Sequence, residues 1–313
     1  MQNSLNDKIR ERVRGEVLPG EPLMNHTTYR VGGAAEILVR PATAADATRL
    51  YRFAKMNNVP LTIIGAGSNV IAPDEGISGV VVETKNALAG IAYIGNTLVR
   101  AGSGVPLVDL ARDAAQRGLR GLEPISCIPG TVGGAVVMNA GTREGDTASV
   151  LERIGVCTSA GRMRIFAARE MGFGYRKCIV LGSDWLVLWA EFRLAPGDPQ
   201  DSLRAIDEQW EERSSKYPLD TPSAGSVFKR PPGDYAGRLI EVCGCKGMRV
   251  GGALVSERHA NFIVNTGSAT ASDIMELIAR VRRVVYEKTG TYLELEQIPL
   301  GVHASGNKNP NLI

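Results

Sequence analysis

Gly65-Ala66-Gly67-Ser68-Asn69-Val70 follows Leu61–Ile64, an apolar run that reads as a short strand. A glycine loop directly after a strand looks like the opening of a dinucleotide fingerprint. The third glycine of that pattern is missing, and Pro73 and Gly76 fall where an uninterrupted helix would have to run. A doubly wound nucleotide fold is therefore disfavoured. Two readings stay open for this loop alone: amides facing a diphosphate without that helix, or a plain turn between strands.

A second segment sharpens the choice. Ile128-Pro129-Gly130-Thr131-Val132-Gly133-Gly134 runs on through Asn139 and Ala140 to Gly141. Read as a loop, it lets backbone touch a flat ligand and offers amides to anionic or ring oxygens. Two such segments in one chain are harder to dismiss as turns.

A third segment, Ser223-Ala224-Gly225-Ser226-Val227-Phe228-Lys229-Arg230-Pro231, is too polar and glycine-marked for a core strand. It lies between two helical stretches, where a loop can present Ser226 to a ligand. In Phe173-Gly174-Tyr175-Arg176 the arginine would ordinarily be solvated. It follows a small-residue loop and an aromatic, a setting that could place it in a cleft. There a guanidinium suits a substrate carboxylate or a developing enolate. Glu294 and Glu296 alternate with Leu293 and Leu295 on an expected strand, Leu293 to Ile298, so both carboxylates share one face. They are either two surface groups or a pair of which one reaches a cleft.

Around these segments the pattern mixes strands and helices. Strands are expected at Ala35–Val39, Val80–Glu83, Thr97–Ala101, Ile154–Thr158, Met163–Ala167 and Trp185–Leu194. Thr43 can cap a helix to about Asn57, and Pro106 can open one to Arg117. Pro196-Gly197-Asp198-Pro199 reads as a domain boundary. Helices follow to about Ser215, at Asp234–Cys243 and at Ala271–Thr289. On the last of these Arg280, Arg282 and Arg283 form a basic cluster, read as a solvated face. The order of elements gives an α+β class.

Composition sets limits. The 313 residues are 44% hydrophobic and 22% charged, as in an ordinary globular protein, and the net charge of +3 is too weak to argue for nucleic acid. Cys127, Cys157, Cys178, Cys243 and Cys245 show no metal or framework spacing, and reduced thiols are expected. His26, His259 and His303 are far apart, so no metal site is expected. Residues 1–17 lack the apolar core of a secretory signal, and no apolar run reaches the ~20 residues needed to span a bilayer. A cytoplasmic protein is expected.

Seven ordered segments resemble the UDP-N-acetylenolpyruvoylglucosamine reductase (UDP-N-acetylmuramate dehydrogenase) family of peptidoglycan precursor synthesis. They are Asn25–Gly33, Gly65–Asn69, Ile128–Ala135, Gly174–Arg176, Ser223–Lys229, Val250–Ala253 and His259–Asn265. The resemblance covers nearly everything from Asn25 to Gly301. It implies a two-subdomain FAD-binding fold of the vanillyl-alcohol-oxidase (PCMH) type, with a C-terminal α+β substrate-binding domain. The expected division is a leader at 1–21, an FAD-binding domain at 22–197 (subdomains about 22–83 and 84–197), a substrate-binding domain at 198–303 and a tail at 304–313.

The resemblance further implies non-covalent FAD and NADPH as reductant. The substrate would be UDP-N-acetyl-3-O-(1-carboxyvinyl)-glucosamine. FAD contacts are expected from Tyr29, from Gly65, Ala66, Gly67, Ser68, Asn69 and Val70, and from Ile128, Pro129, Gly130, Thr131, Gly133, Gly134, Asn139 and Ala140. Ser226 would donate the proton, while Arg176 and Glu296 stabilise the enolate. Glu296 is preferred to Glu294 because Glu296–Gly301 fits the family's closing strand and glycine. Arg176 and Lys229 would bind substrate, and Lys229 is conjectured to help stabilise the serine alkoxide. Roles in cell wall biogenesis, cell shape and cell division would follow. No nucleic acid, membrane or obligate protein partner is expected.

Two residues depart from the family pattern: Arg230 in place of asparagine, and Cys127 in place of glycine. The short stretch between Arg176 and Ser226 resembles the branch lacking an extra substrate-covering tyrosine loop. Two alternatives are another FAD-dependent oxidoreductase of this fold, such as an alcohol or lactone oxidase, and a non-catalytic UDP-sugar-binding protein. The first commonly tethers flavin through histidine or cysteine, and Gly65–Val70 and Ile128–Gly141 contain neither.

Overall fold

The structure, a computed structural model, describes residues 4–301. The expected tail at 304–313, His303 and the first three residues of the leader lie outside the described residues. The chain divides into two compact units. The first takes residues up to 21, 36–66 and 79–213; the second takes 22–35, 67–78 and 214 onward.

The first unit holds two sheets. One is ordered Glu16–Pro22, Ala34–Arg40, Ile77–Glu83, Leu61–Ile64. Its last two strands are parallel, in register from Leu61 opposite Val80 to Ile64 opposite Glu83. The other sheet is antiparallel: Met163–Ala167, Leu151–Cys157, Leu186–Arg193, Leu98–Gly102, Ile91–Ile94. Helix Ala44–Met56 starts at Thr43, whose hydroxyl accepts from the Asp46 amide at 3.1 Å. It buries Ala47, Leu50, Tyr51 and Ala54, spaced as one helical face. Helix Leu107–Gln116 does the same with Leu107, Leu110, Ala111 and Ala114.

Three sequence expectations change in this unit. The stretch expected as a leader carries a strand, Glu16–Pro22, at the edge of the first sheet, and buries Ile9, Val13 and Val17. The boundary expected at 196–199 is a helix start: Asp198 accepts from the Gln200 and Asp201 amides, and Pro199–Lys216 is helical. That helix buries Ile206 in the first unit's core, with Leu203 and Trp210 against it, so the division falls after Arg213. Finally, the second glycine segment is not all loop. Val132–Met138 is a helix capped by Thr131, because Val132, Ala135 and Val136 recur at helical spacing and are buried.

The second unit has a three-stranded antiparallel sheet, Arg249–Val250, Ala253–Val255 and Ile263–Asn265. Helix Ala271–Thr289 opens with a capping box between Thr270 and Asp273 and stops at Gly290. Its apolar stripe, Ile274, Leu277, Ile278, Val281 and Val285, joins Tyr29, Phe228, Ile240 and Leu293 in one core. The expected strand Leu293–Ile298 shortens to Ile298–Pro299, which pairs in parallel with Val70–Ile71. Upstream of it, Leu295 forms only an isolated bridge with Phe228.

Candidate active site

In the first unit the two glycine segments touch. A Cβ on Gly65 would lie 2.6 Å from the Thr131 hydroxyl oxygen, so only glycine allows this approach. Thr131 also accepts from the Gly134 amide at 3.4 Å. The second segment is held from behind: Leu107 N–H donates to Gly130 C=O, Val132 N–H to Val105 C=O, and Gly133 N–H to Ser103 C=O. The amides of Gly65, Ala66, Gly130 and Thr131 donate to no other group among the described residues. Unused donors on two apposed glycine segments suit the oxygens of a phosphorylated cofactor, and the residues present fit FAD. Pro129 and Gly134 are exposed, while Ile128 is partly buried. Gly133 is buried, packed against Ser103.

Arg176 lies at φ +51° in a tight reversal where Gly174 and Lys177 exchange backbone hydrogen bonds. Its guanidinium donates to the Asn139 carbonyl at 3.4 Å and the Gly141 carbonyl at 3.2 Å. Asn139, only 2% exposed, binds the same reversal from the other side, its side-chain amide donating to Gly174 C=O at 3.0 Å. That amide also donates to Asp146, and its oxygen accepts from Ala148 N–H. The Asn139 side chain is thus committed within the protein, and Ala140 is buried with its carbonyl accepting twice from Thr147. Asn139 works as the support of Arg176 rather than as a side chain offered to a cofactor.

In the second unit, Gly67 has φ +64°, and a Cβ there would meet the His26 carbonyl oxygen at 2.0 Å. The carbonyl of Gly67 accepts from Thr28 N–H. Beyond half-buried Ser68, Asn69 ties this loop to the closing segment. Its side chain donates to Glu296 C=O at 3.2 Å, and its carbonyl accepts from Ile298 N–H at 3.0 Å. Val70 then enters the parallel pair with Ile298.

Ser226 is half-buried, and its hydroxyl makes no hydrogen bond among the described residues. The chain on both sides is fixed. Val227 N–H donates to Asn261 C=O at 2.9 Å, and the Asn261 side chain both accepts from Phe228 N–H and donates to Phe228 C=O. Glu296 N–H donates to Val227 C=O at 2.8 Å, and Lys229 N–H to Glu294 C=O at 2.8 Å. Upstream, the Gln297 side chain donates to the carbonyls of Ala224 and Gly225. The second unit therefore brings Ser226, Glu296, Asn69 and Lys229 onto adjoining, mutually bonded segments.

Two expectations need correction here. Tyr29 is fully buried, and its hydroxyl donates to Gln297 Oε1 at 3.1 Å, so its side chain has no surface for FAD. Burial also holds that phenol well above its ordinary pKa. Lys229 is not a free cation beside the serine: it forms an ion pair with Glu294. Of the two carboxylates that alternate with Leu293 and Leu295, Glu294 is the one paired with Lys229. Asn261 and Gln297 were not singled out by sequence. Their only signal is position, a buried amide inside His259–Asn265 and another inside Glu296–Gly301.

Comparison with known proteins places this geometry in context. Residues 35–166 match the family model of an FAD binding domain, and 217–298 match that of the UDP-N-acetylenolpyruvoylglucosamine reductase C-terminal domain. UDP-N-acetylenolpyruvoylglucosamine reductase 2 of Symbiobacterium thermophilum is 45% identical over 292 residues, 93% of this chain and 94% of that relative. The reductase of Carboxydothermus hydrogenoformans is 40% identical over 95% of this chain and 98% of its own length. The crystal structure of the Thermus caldophilus UDP-N-acetylenolpyruvylglucosamine reductase superposes with a TM-score of 0.77 at 37% identity, covering 91% of this chain and 98% of that one.

Proposed function

The chain belongs to the UDP-N-acetylenolpyruvoylglucosamine reductase family, and from that premise we propose that it reduces UDP-N-acetyl-3-O-(1-carboxyvinyl)-glucosamine to UDP-N-acetylmuramate with NADPH. The observation that carries this reading is the presence in one chain of both a flavin-binding match and the reductase C-terminal match. An alcohol or lactone oxidase would share only the first. Bound FAD, held without a covalent link by the amides of the two glycine segments, supplies the two-electron chemistry between NADPH and the vinyl ether.

The chain's own residues handle charge and protons. As the terminal vinyl carbon gains a hydride, electron density moves onto the carbon bearing the carboxylate and into that carboxylate. Arg176 stabilises this charge electrostatically, its guanidinium pre-set by the Asn139 and Gly141 carbonyls. Glu296 is assigned, with Arg176, to stabilising the enolate. Ser226 gives its hydroxyl proton to the carbon bearing the carboxylate and takes one back from solvent. A serine is a weak acid, but the enolate is a strong base and the hydroxyl has no competing partner among the described residues. Lys229 is a substrate contact whose ammonium is oriented by its ion pair with Glu294. The product feeds peptidoglycan precursor synthesis, with cell shape and division as the processes served, and the reaction takes place in the cytoplasm.

The test is direct. Purified protein, NADPH and the enolpyruvyl sugar nucleotide should give sugar-dependent NADPH oxidation and a product two hydrogens heavier than the substrate. NADPH oxidation that needs only oxygen, with the sugar nucleotide unchanged, overturns the reading.

A further inference from the structure

On helix Ala271–Thr289 the three arginines of the basic cluster have different fates. Arg280 pairs with Glu276 and Arg283 is exposed, but Arg282 is buried, 8% exposed, against the solvated face expected for it. Its Nε donates to the Leu293 carbonyl at 3.0 Å. The centre of its guanidinium lies 5.0 Å from the Tyr292 ring centroid and 5.9 Å from that of Phe228. Phe228 follows Ser226 by two residues and bridges Leu295, while Leu293 begins the segment that leads to Glu296. One side chain therefore bonds the arm carrying Glu296 and stacks on the arm carrying Ser226.

Burying a charge in an apolar helix stripe costs free energy that a leucine there would not. An arginine offers what leucine and lysine do not: a flat cation that stacks on rings and a donor on Nε at the same time. We propose that Arg282 is a positioning residue for the reduction, clamping the Ser226 and Glu296 segments in register so that proton delivery meets the developing enolate. This rests on the reductase reading above. Its bond to Leu293 and its stacking on Phe228 act on the placement of the segments that carry Glu296 and Ser226.

The experiment compares wild type, Arg282→Met and Arg282→Lys as holoproteins, with rates expressed per bound flavin. Flavin content and NADPH-driven flavin reduction should match wild type in both. Turnover of the sugar nucleotide should fall by about tenfold to hundredfold in Arg282→Met, with kcat rather than KM carrying the loss. A solvent deuterium isotope effect on flavin reoxidation should be larger in Arg282→Met than in wild type, because misplaced proton delivery becomes limiting. Arg282→Lys should recover part of the rate. If Arg282→Met yields no soluble holoprotein, Arg282→Lys carries the test through its own enlarged isotope effect. A merely structural role would lower thermal stability and yield but leave kcat per flavin and the isotope effect at wild-type values, and that result overturns the proposal. If wild type itself does not reduce the sugar nucleotide, the reductase reading fails and this inference falls with it. If wild type turns over and both variants match it, the inference alone fails.

Discussion

The carbonyl of Asn139 accepts from the Arg176 guanidinium, while the Asn139 side chain donates to Gly174, two residues before that arginine. One buried asparagine thus holds both the side chain and the backbone of the proposed enolate-stabilising group, the first through its own carbonyl and the second through its side-chain amide. Arg176→Lys keeps the charge but cannot reach two carbonyls with a rigid fork. It should lower kcat/KM by about a hundredfold, in the range for losing one pre-set electrostatic donor. Asn139→Ala should keep the carbonyl that Arg176 bonds but release the reversal at Gly174 that carries the arginine. It should lower stability by about 1–3 kcal/mol through lost buried hydrogen bonds, and also reduce kcat. Steady-state kinetics beside urea titrations separate the two effects; a wild-type kcat in Asn139→Ala would show that Arg176 does not depend on it.

Tyr29 gives a test of the opposite kind. Tyr29→Phe removes only the hydroxyl bonded to Gln297. Stability should drop by about 1–2 kcal/mol, since the Gln297 oxygen is left unpaired in a buried site. Flavin content should not change. Loss of flavin from a fully folded Tyr29→Phe would restore Tyr29 as a cofactor contact.

Gly65→Ala should act on the cofactor. Its Cβ would press on the Thr131 hydroxyl and separate the two glycine segments. Bound flavin per chain, read from the visible spectrum, should fall, while residues 217–298 stay folded by hydrogen exchange. Undiminished flavin content would mean that the contact is not part of the cofactor cradle.

Much of this was legible in the sequence, for reasons that can be named. Helix Ala271–Thr289 was visible in full because its apolar period and its capping residues agree. The segments carrying Ser226, Arg176 and Glu296 were visible because glycine, serine and charge cluster there. What escaped depends on partners distant in the chain. Tyr29 and Gln297 are 268 positions apart, and Asn261 and Phe228 are 33 apart. Arg282 looks solvated by composition and is buried by tertiary packing. Glycine density hid helix Val132–Met138, whose period was present but read as loop.

Asp74 links pH to the second unit's long helix. Its carboxylate accepts from the Ala271 and Ser272 amides, at 2.7 and 2.9 Å, and from the Ser272 hydroxyl. Partial burial works against the charged form, but the hydrogen bonds from Ser272 and Ala271 outweigh it and hold the pKa below the ordinary carboxylate value. A lowered folded-state pKa means that the stabilisation is fully present above the unfolded pKa of about 3.9 and is lost as pH falls through the folded value. Asp74→Asn should cost about 1 kcal/mol at neutral pH, as loss of a charged cap does. The gap to wild type should close on acidification below about pH 4. A gap that stays constant to strongly acid pH would mean that the charge of Asp74 contributes nothing.

The central claim is that Ser226 delivers the proton, and stopped-flow mixing of NADPH-reduced Ser226→Ala with the enolpyruvyl sugar nucleotide tests it most directly. Alanine suits the same backbone, and the hydroxyl has no partner among the described residues whose loss would disturb the fold. Flavin binding and reduction by NADPH should be close to wild type, whereas reoxidation by the sugar nucleotide should slow by about a hundredfold or more. Reoxidation of Ser226→Ala at the wild-type rate would contradict the account.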